Sequence, residues 1–131
     1  MDYGPLVMEE IAAGATLAQE FDQYAPVKAA FWLKASDEDQ RYLYLASERF
    51  DDGTVGPAYQ EILRLLKKIR SPFIDPFRIK LIGGKSPLAI AASDANVRPS
   101  GTMPTRLGGH SFGGLPADDV YVYPAPVSTS T

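Results

Sequence analysis

Two strand-like segments separated by five polar residues constrain this fold more than any other feature of the chain. Residues 27–35 and 41–48 resemble β-strands in their alternation and their aromatic content. The sequence SDEDQ between them has the length and polarity of a hairpin loop. We therefore predict an antiparallel β-hairpin.

The pairing within this hairpin follows if the five polar residues form the whole loop. Leu33 then faces Leu43 on one side of the hairpin, and Trp32 faces Tyr44 on the other. One side is apolar and the other aromatic, and both are favourable cross-strand sets. A shift by one residue would mix the two sets, so this is the register that we expect.

Two amphipathic helices are predicted around the hairpin. The first lies within residues 4–26, where apolar residues recur close to every 3.6 positions and Pro26 marks the end. The second begins at Pro57 and stops before the Ser71-Pro72 pair. Its apolar stripe consists of Tyr59, Ile62, Leu63, Leu66 and Ile69.

The second half of the chain is predicted to contain two more strands, a short helix and a long loop. The strands run from Phe77 to Ile82 and from Val120 to Tyr123. The helix spans Pro87 to about Ala95, with Ser86 as its N-cap. The loop covers Arg98 to Pro116, which holds five glycines and three prolines without usable periodicity.

The order of these elements, α-β-β-α-β-α-β, indicates an α+β fold. A strand–helix–strand step from the hairpin to the third strand implies a parallel pair, while the hairpin is antiparallel. We expect a mixed four-stranded sheet with helices packed mainly on one face. By its length the chain forms one domain, over residues 1–124, followed by a flexible C-terminal tail at 125–131.

Composition limits the functions that this chain can have. The net charge of −3, from 13 basic and 16 acidic residues, argues against a surface built for nucleic acid. The chain has no cysteine, which excludes disulfides and thiolate chemistry. No stretch approaches 18 apolar residues, and MDYGPLVMEE lacks the pattern of a signal peptide. We expect a cytoplasmic protein without membrane contact.

The sequence GHSFGG matches the G-x-S-x-G pattern of a nucleophile elbow at Ser111. An elbow needs a strand before the serine, a helix after it and a histidine base oriented by a carboxylate. Here His110 is the only histidine, and it lies next to the serine. We therefore assign no catalytic residue, and we interpret the two glycine pairs as a tight double turn that needs positive φ.

A second glycine pair precedes Lys85 and Ser86. The sequence GGKS is not a P-loop, because the glycine required five positions before Gly84 is Ile79. If a helix starts at Pro87, its free N–H groups and Lys85 form a modest anion site. An ordinary glycine turn is the alternative.

The glycine-rich loop offers a candidate ligand site at Thr105, Arg106, His110 and Ser111. A permissive backbone with nearby donors can hold a small polar or anionic ligand, although a passive crossover loop has the same composition. We predict neither a metal nor a cofactor, because one histidine cannot form a zinc site alone and the acidic pairs lack calcium-loop spacing. Those acids, which include Asp51-Asp52 and Asp118-Asp119, are interpreted as solvated turn residues.

The aromatic face of the hairpin, formed by Trp32, Tyr42 and Tyr44, is the candidate interface. Such side chains suit protein contacts because they bury a large area and keep a polar tip. The same face could lie beneath a helix, or could stack nucleic-acid bases. A two-fold contact would bury it without further sequence, so we predict a homodimer.

Several segments resemble a group of small bacterial proteins with no assigned function. These segments are FWLK…LYLASE, PFRIKLIGGKSPLA, MPTRLGGHSFGGL and DDVYVYP. The resemblance implies a bacterial cytosolic origin and assigns no catalytic residue. We expect a non-enzymatic protein that acts through contact with an unidentified protein partner. The alternative is a small ligand-binding or enzymatic domain whose site is formed by residues 98–116.

Overall fold

The computed structural model describes residues 8–38, 40–49, 55–70, 74–97 and 105–123, of which 55, 93–97 and 105–111 are described by their backbone only. The helices are α1 (Met8–Asp22), α2 (Val55–Ile69) and α3 (Pro87–Val97), and a 3-10 turn spans Pro76–Arg78. The strands are β1 (Ala29–Ala35), β2 (Tyr42–Ser47), β3 (Ile79–Gly83), β4 (Thr105–Phe112) and β5 (Leu115–Val122). The predicted tail at 125–131, residues 98–104 of the predicted loop and the pair Asp51-Asp52 lie outside the described residues.

One mixed sheet contains the five strands of the described chain, in the order β3-β2-β1-β5-β4. β2 and β3 are parallel and are joined through α2, as predicted, and the other neighbours are antiparallel. α1 and α2 pack on one face of the sheet, and α3 packs on the other. The predicted α+β class, the mixed sheet and the packing of helices mainly on one face are confirmed.

The sheet has one strand more than the four predicted, because the glycine-rich segment forms a β-hairpin. Thr105–Phe112 is β4, and the next strand begins at Leu115 and not at Val120. Two consecutive glycines in β4 give the sheet no side chains to pack, so the segment shows no strand periodicity. Pairing with β5 supplies the stability that local propensity lacks. The loop prediction is therefore wrong from residue 105 onwards.

The β1–β2 hairpin forms in a register shifted by one residue from the predicted one. Trp32 pairs with Leu43, and Phe31 pairs with Tyr44. The prediction required apolar and aromatic residues to separate onto different faces of the hairpin. Helices cover both faces of this sheet, so each face can bury a mixture of the two and the separation has no energetic advantage.

Trp32 belongs to the core between the sheet and α1, where its side chain is 1% exposed. Its Nε1 donates a hydrogen bond of 2.9 Å to the Tyr123 hydroxyl, which donates one of 2.6 Å to the carbonyl of Ile11 in α1. Burial raises the pKa of Tyr123, so this hydroxyl remains protonated and able to donate. Gly14 permits the close approach, because a Cβ there would overlap with the Tyr123 hydroxyl.

Two buried cations connect the hairpin to β5. The Nζ of Lys34 lies 2.9 Å from a carboxylate oxygen of Asp118, and Nη2 of Arg41 lies 3.2 Å from one of Asp119. Hydrogen bonds from Lys34 and Ser36 lower the pKa of Asp118. The interpretation of Asp118 and Asp119 as turn acids is wrong, because both lie within β5 and pair with buried cations. The Asp118 side chain is solvated as predicted, at 47% exposed, whereas that of Asp119 is 16% exposed.

α2 buries a face that is rotated from the predicted stripe. Ala58, Ile62 and Leu65 are fully buried, whereas Leu63 is 44% exposed. The other residues of the predicted stripe are partly buried: Tyr59, Leu66 and Ile69. The helix packs against both the sheet and α1, so its apolar surface is wider than one stripe. The spacing of apolar residues alone therefore could not show which part of that surface is most deeply buried.

The turn between β4 and β5 depends on two glycines with positive φ. Gly113 has a φ of +61° and Gly114 one of +84°, which is typical of a two-residue hairpin turn. A Cβ on Gly113 would lie 2.8 Å from the carbonyl oxygen of Pro87, whereas one on Gly114 would meet no atom within 4 Å. The turn therefore packs tightly against the first residues of α3.

These two glycines form a matched pair for testing that contact. We expect Gly114→Ala to lower the free energy of unfolding by about 1–2 kcal/mol, because alanine disfavours positive φ. Gly113→Ala should lower it by about 1–2 kcal/mol more, because the new methyl group also overlaps with α3. Urea unfolding followed by circular dichroism measures both. Equal losses would show that α3 does not pack against the turn.

Candidate functional site

An apolar groove lies between α2 and the segment that leads into β3. Its volume is about 360 Å³. The residues that line it come from the helix, from the 3-10 turn and from the start of the strand: Tyr59, Ile62, Leu63, Pro76, Phe77 and Ile79. Among these described lining residues, the hydroxyl of Tyr59 is the only polar side-chain group.

The helical wall of the groove follows from the spacing of three residues in α2. Tyr59, Ile62 and Leu63 are three and four residues apart, so their side chains lie on adjacent positions of one helix surface. Ile62 is buried and forms the floor, while Leu63 remains partly in solvent at the rim. The exposed half of the apolar surface of α2 therefore becomes one side of the groove.

Tyr59 also fixes the groove to the edge of the sheet. Its hydroxyl accepts a hydrogen bond of 3.0 Å from the N–H of Leu81 and donates one of 3.4 Å to the carbonyl of Ile79. β3 is an edge strand, so these backbone groups would otherwise face solvent. The contact holds α2 at a defined distance from β3 and keeps the groove open between them.

The opposite wall is a 3-10 turn that presents Phe77 to solvent. The Asp75 carboxylate accepts a hydrogen bond of 2.9 Å from the N–H of Phe77, and Pro76 begins the turn. Arg78 donates a hydrogen bond of 3.0 Å to the carbonyl of Arg41 and lies 3.5 Å from a carboxylate oxygen of Glu10. Phe77 is 87% exposed between these anchored neighbours. Its exposure is therefore a property of a fixed turn.

Charge is distributed unevenly around the groove. Residues 55–70 hold four basic side chains and one acidic side chain, although the whole chain has a net charge of −3. The acidic one, Glu61, binds Arg64, and this hydrogen bond lowers the pKa of the Glu61 carboxyl. Because Glu61 balances only one of the four basic residues, the C-terminal part of α2 beyond the groove carries a net positive charge.

The predicted ligand residues occupy two places outside the groove. Lys85 and Ser86 precede α3, where the Ser86 hydroxyl accepts a hydrogen bond of 3.2 Å from the N–H of Ala89 and confirms the predicted N-cap. The other four lie in β4: Thr105, Arg106, His110 and Ser111. The β4–β5 turn packs on the start of α3, which brings the end of β4 with His110 and Ser111 towards Lys85 and Ser86. Thr105 and Arg106 lie at the opposite end of β4, so the structure does not bring all six residues together. Ligand binding by these residues stays a prediction.

Ser111 lies in a β-hairpin, which differs from the strand–turn–helix arrangement of a nucleophile elbow. Ser111 pairs with Pro116 inside the β4–β5 hairpin, so the strand is followed by a turn and another strand instead of a helix. Of the two glycine pairs, Gly113–Gly114 forms the turn and Gly108–Gly109 lies within β4. The expected double turn is therefore a single one.

The three residues of the predicted aromatic interface do not share a surface. Tyr42 and Tyr44 lie on the α3 face of the sheet, and Trp32 lies on the other. The Nζ of Lys80 is 4.3 Å from the ring centre of Tyr42 and 5.7 Å from that of Tyr44. Burial raises the pKa of Tyr44. The homodimer stays a prediction. Its predicted contact through Trp32 is wrong, because side chains alternate between the two faces of a strand and the observed register places Trp32 on the face that α1 covers.

Sequence reasoning missed the groove because its two walls are far apart in the chain. One indication was present, namely that α2 has more apolar residues than a single buried stripe needs. The exposure of Phe77 had no indication, because the sequence predicts Phe77 as the first residue of a strand. Its position depends on anchors at Arg41, the residue before β2, and at Glu10 in α1.

Comparison of the chain with protein-family models, with curated proteins and with solved structures finds no match. The similarity to small bacterial proteins therefore stays a prediction. Within the described ranges, no helix is both long and apolar enough to cross a bilayer. The same residues contain no group of three or more histidine, aspartate or glutamate side chains that could hold a metal ion.

Proposed function

We propose that this protein is a non-enzymatic binding protein, and that it contacts a protein partner through the groove between α2 and β3. The observation that carries the proposal is Phe77, a large apolar side chain that is 87% exposed on a turn anchored at both ends. Large apolar groups that are contiguous and held in water mark interaction surfaces in folded proteins. Leu63 continues the exposed apolar surface across the groove.

The composition of this surface supports a protein partner over a small polar ligand. Sites for small molecules combine apolar walls with several convergent polar groups. Among the described lining residues the only polar side-chain group is the Tyr59 hydroxyl, which is already bound to β3. An apolar centre with an arginine- and lysine-bearing border resembles the pattern of protein interfaces, in which aromatic residues lie centrally and polar ones at the rim.

Selection from a display library of random peptides tests this proposal. We expect enriched peptides to lose at least about tenfold in affinity for Phe77→Ala, because removal of a central aromatic side chain from an interface typically costs that much or more. Fluorescence anisotropy with labelled peptides measures the affinity of each variant.

Ile90→Ala is the matched control for Phe77→Ala. Ile90 is also a large exposed apolar residue, at 47%, but it lies on α3 away from the groove. Peptides that bind wild-type protein and Ile90→Ala equally, and Phe77→Ala weakly, support the groove as the binding surface. Peptides that are insensitive to Phe77→Ala would refute it.

A further inference from the structure

The exposed side of α2 carries two cations that no carboxylate neutralises within the described part of the chain. Arg64 is paired with Glu61, and Lys68 lies 3.1 Å from a carboxylate oxygen of Glu20. Lys67 and Arg70 are both exposed, and neither lies in an ion pair with a described residue. The uncompensated positive charge of this region therefore resides on Lys67 and Arg70.

These two cations lie next to the groove along the helix. Lys67 is four residues after Leu63, so the two side chains are neighbours on one side of α2, about 6 Å apart along the helix axis. Arg70 follows directly after the end of the helix, with a φ of +58°. The apolar groove thus continues into a cationic border in one direction.

We infer that the groove binds a segment of a partner protein that carries a large apolar side chain and, a few residues away, carboxylates. This inference rests on the proposed function and adds the chemistry of the partner. An extended chain advances by about 3.3 Å per residue. Carboxylates two to four residues from the apolar anchor would therefore reach Lys67 and Arg70 when the anchor lies beside Leu63 and Phe77.

Charge also argues against the two other possible occupants. A two-fold contact centred on this cationic border would place Lys67 and Arg70 of one copy against the same residues of the other, and like charges in contact are unfavourable. Nucleic acid requires many phosphate contacts along a basic surface. Here Lys67 and Arg70, which have no ion pair among the described residues, border a groove whose described lining is apolar, on a chain with a net charge of −3.

The composition of the peptides selected on wild-type protein is the first test. We expect carboxylates to be enriched two to four positions from a large apolar residue. The second test is a charge swap. Lys67→Glu combined with Arg70→Glu should weaken these peptides by about tenfold, and replacement of the peptide carboxylates by lysine should restore the affinity for this variant.

Arg49→Glu is the control for charge reversal. Arg49 is exposed and follows the end of β2 that pairs with Gly83, away from Ile79 at the groove, so its reversal alters the net charge without touching the groove border. We expect it to leave the peptide affinity unchanged. Circular dichroism and the thermal midpoint of each variant verify that these surface substitutions leave the fold intact.

Each outcome separates this inference from the proposed function. Peptides that depend on Phe77 but show no preference for carboxylates, and no response to the charge swap, would overturn the inference and leave the binding groove standing. A library without any Phe77-dependent peptide would overturn both. Self-association that Phe77→Ala abolishes, or binding of labelled single-stranded RNA that Lys67→Glu abolishes, would replace the acidic peptide by a second copy or by nucleic acid.

Discussion

Replacement of Trp32 by alanine should lower the free energy of unfolding by about 3–5 kcal/mol, as large aromatic truncations in cores do. The indole is buried between the sheet and α1, and the Arg78 guanidinium lies 5.7 Å from its ring centre. Its removal leaves a cavity and also deprives the buried Tyr123 hydroxyl of its hydrogen-bond donor. Urea unfolding followed by circular dichroism gives the free energy.

Trp32→Phe separates the two contributions to this loss. Phenylalanine retains much of the volume but has no N–H. We therefore expect Trp32→Phe to lower the free energy of unfolding by about 1–3 kcal/mol, which is less than the effect of Trp32→Ala. Sedimentation equilibrium of the same variants gives their oligomeric state. A Trp32→Ala protein with unchanged unfolding and a lower oligomeric mass would return Trp32 to an interface and contradict its place in the core.

Leu65→Ala should destabilise the protein by about 2–5 kcal/mol, whereas Leu63→Ala should cost less than about 1 kcal/mol. The two leucines are two residues apart in the same helix, so helix propensity affects both variants equally. Leu65 is 1% exposed, and Leu63 lines the groove at 44%. Urea unfolding distinguishes them. A larger loss for Leu63→Ala would mean that the stripe predicted from the sequence is the buried one.

The same pair links stability to binding. Leu63 lies on the helical wall of the groove opposite Phe77. We therefore expect Leu63→Ala to weaken groove-dependent peptides although it leaves the fold nearly as stable as wild type. A surface residue that matters for binding and little for stability is what an interaction site requires.

The elements with strong local patterns could be predicted from the sequence. The three helices, the first hairpin and the parallel β2–β3 step each follow from periodicity, from caps such as Ser86 or from connection rules that act over short distances. The helix that starts at Pro87 even has the predicted first residue. Local interactions determine these features, so local reasoning is sufficient for them.

The register of the hairpin and the strand β4 required information from distant parts of the chain. The register depends on whether one or both faces of the sheet are covered, and α3, which covers the second face, lies some forty residues later. β4 is rich in glycine and is held by its pairing with β5. Neither fact is expressed in the local sequence.

The candidate site depends even more on distant contacts. Phe77 is exposed because its neighbour Arg78 is held by two groups from distant parts of the chain. One is the carbonyl of Arg41, the residue before β2, and the other is the carboxylate of Glu10 in α1. The groove opens where Tyr59 bridges from α2 to the edge of β3. Sequence spacing predicted one apolar stripe on α2 but could not indicate that Leu63, one of its members, would remain partly in solvent.

The position of β1 determines how amide protons should exchange with solvent. This strand pairs with β2 and β5 over Phe31 to Leu33, and its residues are buried on both faces of the sheet. No local opening of one helix or one edge strand exposes these amides, so their exchange requires unfolding of the whole protein. Hydrogen–deuterium exchange at Phe31, Trp32 and Leu33 should therefore give the same free energy as urea unfolding. Amides of the edge strands β3 and β4 can exchange through smaller fluctuations and should do so earlier.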